Sequence, residues 1–152
     1  MVLWLRFFAR RPVVLSLRAG VRVACIRLVT GAVAGFSGAA TLNVSSNVAG
    51  TNIIFSHRDA STRQIEVPVM AFSSILSGID GAICLVKMDI EGSEFAVVHS
   101  TPPEAWARIP AIAMEIHEDL ALDLRRDGIL EQLASRGYRA QSDRMGSWFL
   151  TR

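Results

Sequence analysis

The stretch Ile83 to Phe95, ICLVKMDIEGSEF, decides the reading of this chain, because an apolar run ends there abruptly in three carboxylates interleaved with a glycine. Ile83, Cys84, Leu85 and Val86, followed by Lys87, Met88, Asp89, Ile90 and Glu91, fit a strand buried on both faces whose last turn surfaces with acidic side chains. Gly92 and Ser93 break the strand, and Glu94 to Val98 reads as the first turns of a helix with Ser93 as its N-cap. Strand, acidic tip, glycine and helix is the arrangement that places ligands in open α/β sheets, since sites form beyond the carboxyl ends of the strands. Chemistry is expected here.

Downstream, a short helix is predicted around Pro103 to Arg108, a strand over Ala111 to Glu118 and an amphipathic helix over Leu122 to Arg136. That helix turns Leu122, Ile129, Leu130 and Leu133 inward, and Gly137 stops it. Tyr138 to Ser142 and Ser147 to Thr151 read as an antiparallel hairpin. Upstream, strands are predicted over Val21 to Val29, Ala39 to Val44, Ile53 to Phe55 and Ile65 to Met70, with Pro68 favouring an edge position. Phe72 to Leu76 reads as one or two helical turns. Strands alternating with helices predict an α/β fold, a mixed sheet with helices on its faces.

A chain of 152 residues, 51% of them hydrophobic, builds one core. Its net charge of +2 points to no nucleic-acid partner. The charge is unevenly spread, however: Met1 to Arg58 holds seven arginines and no acid, whereas Asp59 to Arg152 sets nine basic residues against fourteen acids. The arginines interrupt the apolar N-terminal stretch, so nothing there approaches the roughly 20 uninterrupted residues that a bilayer core requires. The same pattern fits a targeting presequence, a surface-lying amphipathic segment, or a lead-in followed by buried strands. Cys25 and Cys84 lie in apolar runs without a CxxC or Cys/His cluster, which reads as two small buried hydrophobes in a reducing, cytoplasmic setting, with no zinc site or disulfide framework. No metal site is assigned.

Two constellations carry the chemistry. Asp89, Glu91 and Glu94 can accept a substrate proton, bind a hydroxyl-bearing ligand or hold a hard cation, or else form a solvated strand tip paired with nearby cations. Asp89 and Glu91 share a strand face if the strand runs that far, and Glu94 benefits from the helix dipole. Glu115 and His117, two apart on the later strand, emerge at its carboxyl end, beside Asp89 if the strands are parallel neighbours. A histidine among carboxylates at a strand end is a general-base candidate. Lys87 is placed to neutralise Asp89 or orient a ligand, while His57 and His99 read as surface residues.

LVKMDIEGSEFAVV, Leu85 to Val98, strongly resembles the LLKIDVEGAEYEVL signature of the FkbM family of S-adenosylmethionine-dependent methyltransferases. Ala32 to Asn52, Val67 to Leu76 and IAMEIH (Ile112 to His117) resemble further segments of that family, so the likeness covers roughly Val21 to Arg152. The resemblance implies a Rossmann-like class I methyltransferase sheet with a C-terminal antiparallel hairpin, S-adenosylmethionine as cofactor, and a hydroxyl of a sugar or secondary metabolite as acceptor. It implies Asp89 or His117 as the group that takes the acceptor's proton, with Glu91, Glu94, Glu115 and Lys87 lining the acceptor side. The chain carries neither the family's Asp-x-Gly-Ala-Asn glycine loop nor its Glu-Pro strand, so no cofactor-binding residue is named. The expectation is a partial methyltransferase domain over residues 21–152, incomplete at its N-terminus, behind an N-terminal segment 1–20 to which no origin is assigned. The alternatives are a non-catalytic remnant or acceptor-binding module lacking the donor site, and a protein associated with membranes through its basic N-terminus.

Overall fold

A computed structural model describes residues 2–6, 31–45, 52–53, 62–117, 126–143 and 147–152. The site is set by a five-stranded sheet. Its parallel part consists of β1 (Val2–Arg6), β6 (Leu85–Asp89) and β7 (Ala111–Glu115), side by side in that order. β9 (Ser147–Thr151) runs antiparallel to β7, and β8 (Arg139–Ser142) antiparallel to β9, which closes the order β1-β6-β7-β9-β8. Three adjacent parallel strands present their carboxyl ends along one edge. In register, Arg6 of β1 stands beside Asp89 of β6, and Met88 beside Met114 of β7.

A second sheet has the order β2-β5-β3-β4, from β2 (Ala32–Ala34), β3 (Gly38–Ser45), β4 (Asn52–Ile53) and β5 (Thr62–Ala71). β5 leads directly into helix α1 (Phe72–Ser77). Helices α2 (Glu94–Ser100), α3 (Pro103–Trp106) and α4 (Arg126–Ser135) complete the described elements. β2 ends hard against α2: a Cβ on Gly35 would lie 2.7 Å from the Ala96 carbonyl oxygen, a separation only a glycine permits.

Burial alternates along the central strands, with Val86 and Met88 of β6 and Ile112 and Met114 of β7 sealed while the residues between them are partly exposed. The sealed face packs on one cluster with Phe72, Trp106, Leu133 and Leu150, all without solvent exposure. Trp106 sits at its centre, 5.3 Å from the Phe72 ring and 6.3 Å from the Tyr138 ring, and each such aromatic pair adds about 1 kcal/mol beyond area burial. The Tyr138 hydroxyl donates to the Ile109 and Trp106 carbonyls, at 2.7 and 2.9 Å, so its polar end is satisfied inside the core.

Several expectations need correction. β6 begins at Leu85 and alternates, so it is not sealed on both faces, and Cys84 just before it is exposed. Pro68 lies in β5, an interior strand, but the ladder to β2 starts only at Val69, so at Pro68 only β3 runs alongside. β7 stops at Glu115, short of the expected Glu118. Within the segment 1–20, Val2–Arg6 join the sheet as β1. The strand expected over Val21 to Val29, together with Cys25, His57 and Leu122, falls outside the described residues. Among the described residues no helix is long and apolar enough to cross a membrane.

Candidate active site

The parallel register of β6 and β7 brings the ends of both strands to one point on the sheet edge. β6 ends at Asp89, and Ile90 turns inward with 4% exposure. Glu91 (φ 51°) and Gly92 (φ 97°) then adopt left-handed conformations and reverse the chain into α2. Glycine does this freely, whereas a residue with a Cβ is strained there by about 1 to 2 kcal/mol. Asp89 and Glu91 therefore do not continue one strand face, but the turn folds Glu91 back over the end of the sheet.

Glu94, the first residue of α2, holds this turn from below. Its Oε1 accepts from the Ile90 amide at 3.2 Å and its Oε2 from the Gly92 amide at 2.9 Å. With 1% exposure it is the one buried charged residue among those described. Ser93, expected as the N-cap, makes no side-chain cap bond, and Glu94 takes over the reciprocal contacts to the preceding amides.

His117 sits two residues beyond β7. Its Nδ1 lies 3.1 Å from Glu94 Oε1, and its Nε2 3.6 Å from Glu91 Oε2. Because that Glu94 oxygen only accepts, Nδ1 must carry the proton and donate. The Nε2 side is then directed at Glu91 and Asp89. One oxygen of Asp89, one of Glu91 and a ring nitrogen of His117 all lie within 4.8 Å of one another, a donor set that could hold a metal ion.

Lys87 reaches 3.7 Å to Asp89 Oδ2, the expected pairing, and approaches Glu115 Oε1 more closely, at 2.8 Å. Since β7 ends at Glu115, His117 does not share a strand face with it: Glu115 faces Lys87, and His117 turns to Glu94. His99 is exposed on α2 and stacks on Phe95, with ring centroids 5.8 Å apart.

The electrostatics follow from this crowding. The Glu94 hydrogen bond holds the His117 ring above its ordinary pKa against the opposing effect of burial, and the charges of Glu94, Glu91 and Asp89 add to it. Glu91 is likewise raised, first by burial, then by the neighbouring Asp89, Glu94 and Glu115, with His117 pulling the other way. The sequence reading brought Asp89, Glu91, Glu94 and His117 to one edge. What it missed is the Glu94–His117 bond spanning 23 positions, for which the signal is a Glu at N1 of a helix following a carboxylate-tipped strand.

Compared with known families, residues 6–140 match the methyltransferase FkbM domain, and the chain belongs to that family. No curated protein and no solved structure matches it.

Proposed function

As a member of this family the chain is a methyltransferase domain, and we propose that it transfers the methyl group of S-adenosylmethionine to a hydroxyl of a sugar or secondary metabolite. The observation that carries this reading is the convergence of Asp89, Glu91 and His117 at the carboxyl edge of parallel strands within a chain matched by the family over most of its length. Parallel β1, β6 and β7 with an antiparallel β9–β8 hairpin support a Rossmann-like sheet, in which ligands sit beyond the strand ends.

In the proposed reaction the acceptor oxygen attacks the sulfonium methyl carbon. The carbon–sulfur bond breaks, leaving a neutral thioether, and the hydroxyl proton passes to Asp89 or to Nε2 of His117. Glu94 acts behind them, fixing the imidazole so that Nε2 faces the acceptor, the orienting role a carboxylate plays for a catalytic histidine. Lys87 and Glu115, paired at 2.8 Å, border the same edge and would contact acceptor hydroxyls. Positioning supplies most of the acceleration, since the sulfonium is a reactive donor.

The test is transfer of isotopically labelled methyl from S-adenosylmethionine to a panel of glycosides and hydroxylated metabolites. A labelled methyl ether is the expected product. Label appearing only on amines or carboxylates would overturn the acceptor class. A second reading, an acceptor-binding module without a donor site, is favoured by the absence of an Asp-x-Gly-Ala-Asn loop and of a Glu-Pro pair from the sequence.

A further inference from the structure

We propose that Asp89, Glu91 and His117 form a binding site for a divalent first-row transition cation, with Mn2+ and Zn2+ as its best-fitting occupants. The three side chains come from three places, the end of β6, the left-handed turn after it and the segment after β7, and one ligand atom of each lies within 4.8 Å of the other two.

The donor set selects the ion. One imidazole nitrogen with two carboxylate oxygens suits Mn2+ and Zn2+, whereas Mg2+ and Ca2+ favour oxygen-only sites. Ligands of such a cation stand about 3.0 to 3.4 Å apart at metal–ligand bonds near 2.1 Å. His117 Nε2 and Glu91 Oε2 are already at 3.6 Å, and the full set lies within 4.8 Å, so rotation of the partly exposed carboxylates closes the site without moving backbone.

The imidazole is held as a metal ligand requires. Its Nδ1 bonds to Glu94, which is itself fixed by two backbone amides and lies outside the ligand set. In histidine–metal sites the far ring nitrogen donates to a carboxylate, a backbone carbonyl or a water, which orients the ring and raises its basicity. Charge points the same way: Asp89, Glu91, Glu94 and Glu115 crowd one strand edge, where Lys87 lies 2.8 Å from Glu115 and 3.7 Å from Asp89.

Three protein ligands leave coordination positions open to an acceptor hydroxyl. Resting on the methyl-transfer reading, the cation deepens it: bound to the acceptor oxygen it weakens the O–H bond, and the proton moves to the Asp89 carboxylate oxygen that does not face the metal. The oxygen then bonds to the methyl carbon as the carbon–sulfur bond breaks. Asp89 and His117 cease to be rival bases and become partners in one site.

The test uses the full chain, titrated calorimetrically with MnCl2 and with ZnCl2. One equivalent should bind with a Kd below about 50 μM near neutral pH. Affinity should fall about 10-fold or more in Glu91→Gln and in His117→Gln, the usual loss on removing a ligand or its support, and stay unchanged in Glu104→Gln on α3. In the wild-type chain, which needs no variant to fold, Mn2+ should broaden the ring proton resonances of His117 before those of His57 and His99. Binding weaker than about 1 mM, equal binding by both site variants, or broadening of another histidine first would overturn the site. Methyl transfer is assayed on the same samples. Cation binding without transfer would count against the methyltransferase reading alone, and transfer insensitive to chelators with no cation bound would count against the cation alone.

Discussion

Glu91 is held at φ 51°, the one non-glycine residue with a positive φ among those described, and its carboxyl is pushed toward its neutral form by burial and by its acidic neighbours. Strain of this kind persists where function requires a side chain that folding alone would reject. Glu91→Gly is therefore expected to stabilise the fold by about 0.5 to 1 kcal/mol in urea unfolding, the left-handed penalty outweighing the added chain entropy of glycine, while removing the site's contribution. A loss of stability would instead mean that the contact to His117 holds the turn. Tyr138 offers a second residue-level test, since it is the single tyrosine of the chain and burial pushes its phenol up to about 12. A raised acid favours the folded state below its unfolded pKa, so this contribution is intact up to about pH 10 and is lost as pH rises through about 12. The phenolate absorbance of the folded chain should titrate near 12, and that of the denatured chain near 10. A folded-state midpoint near 10 would show the hydroxyl is not locked onto the Ile109 and Trp106 carbonyls.

At the scale of elements, α4 shows how local chemistry makes a structure legible from its residues. Gly137, expected to stop that helix, has φ 89°, and the Tyr138 amide donates to the Leu133 carbonyl while the Gly137 amide donates to that of Ala134, the paired bonds of a Schellman cap. Gly137→Ala should cost about 1 kcal/mol in thermal or urea unfolding, and because an added Cβ would meet nothing nearer than Arg152 at 3.7 Å, that cost is conformational rather than steric. The α2 terminus obeys a less local rule: Arg136, from beyond α4, donates to the Val98 carbonyl at 2.7 Å and lies 5.5 Å from the Trp106 ring centre. Such remote caps leave no trace in periodicity. The same contrast runs through the site. Strand β6, its acidic tip, β7 beside it and the terminal hairpin were readable, because apolar alternation and glycine positions are local signals. The early end of β7, the left-handed Glu91 and the bond from Glu94 to His117 were not, since each depends on which partner a side chain meets after the sheet has assembled.

For the whole molecule the question is how a donor and an acceptor meet at this edge, and the two halves of the chain contribute unequally. The carboxylates and His117 all come from residues 89–117, after the second sheet, whereas the arginine-rich, acid-free residues 1–58 carry the positive charge. Nothing in the sequence supplies the glycine loop and ribose-binding acid that its family resemblance would place before the second sheet. We propose that the chain binds S-adenosylmethionine more weakly than about 100 μM by calorimetry, because a site built without those two motifs forfeits several kcal/mol of ribose and carboxylate contacts. Low-micromolar binding would mean that other residues hold the donor. Asp89→Asn separates this from the acceptor chemistry, since it keeps size and most hydrogen bonding while deleting one charge at the strand end. Its unfolding free energy should change by about 1 kcal/mol or less, and its affinity for S-adenosylmethionine should not change, because in the proposed reaction Asp89 serves the acceptor. Methyl transfer should fall about 100-fold or more, the usual worth of a positioned proton acceptor. If transfer needed no bound cation, survived in Asp89→Asn and was lost in His117→Gln, the proton would go to the imidazole, and Asp89 would be left with the architectural task of facing Lys87 at the end of β6.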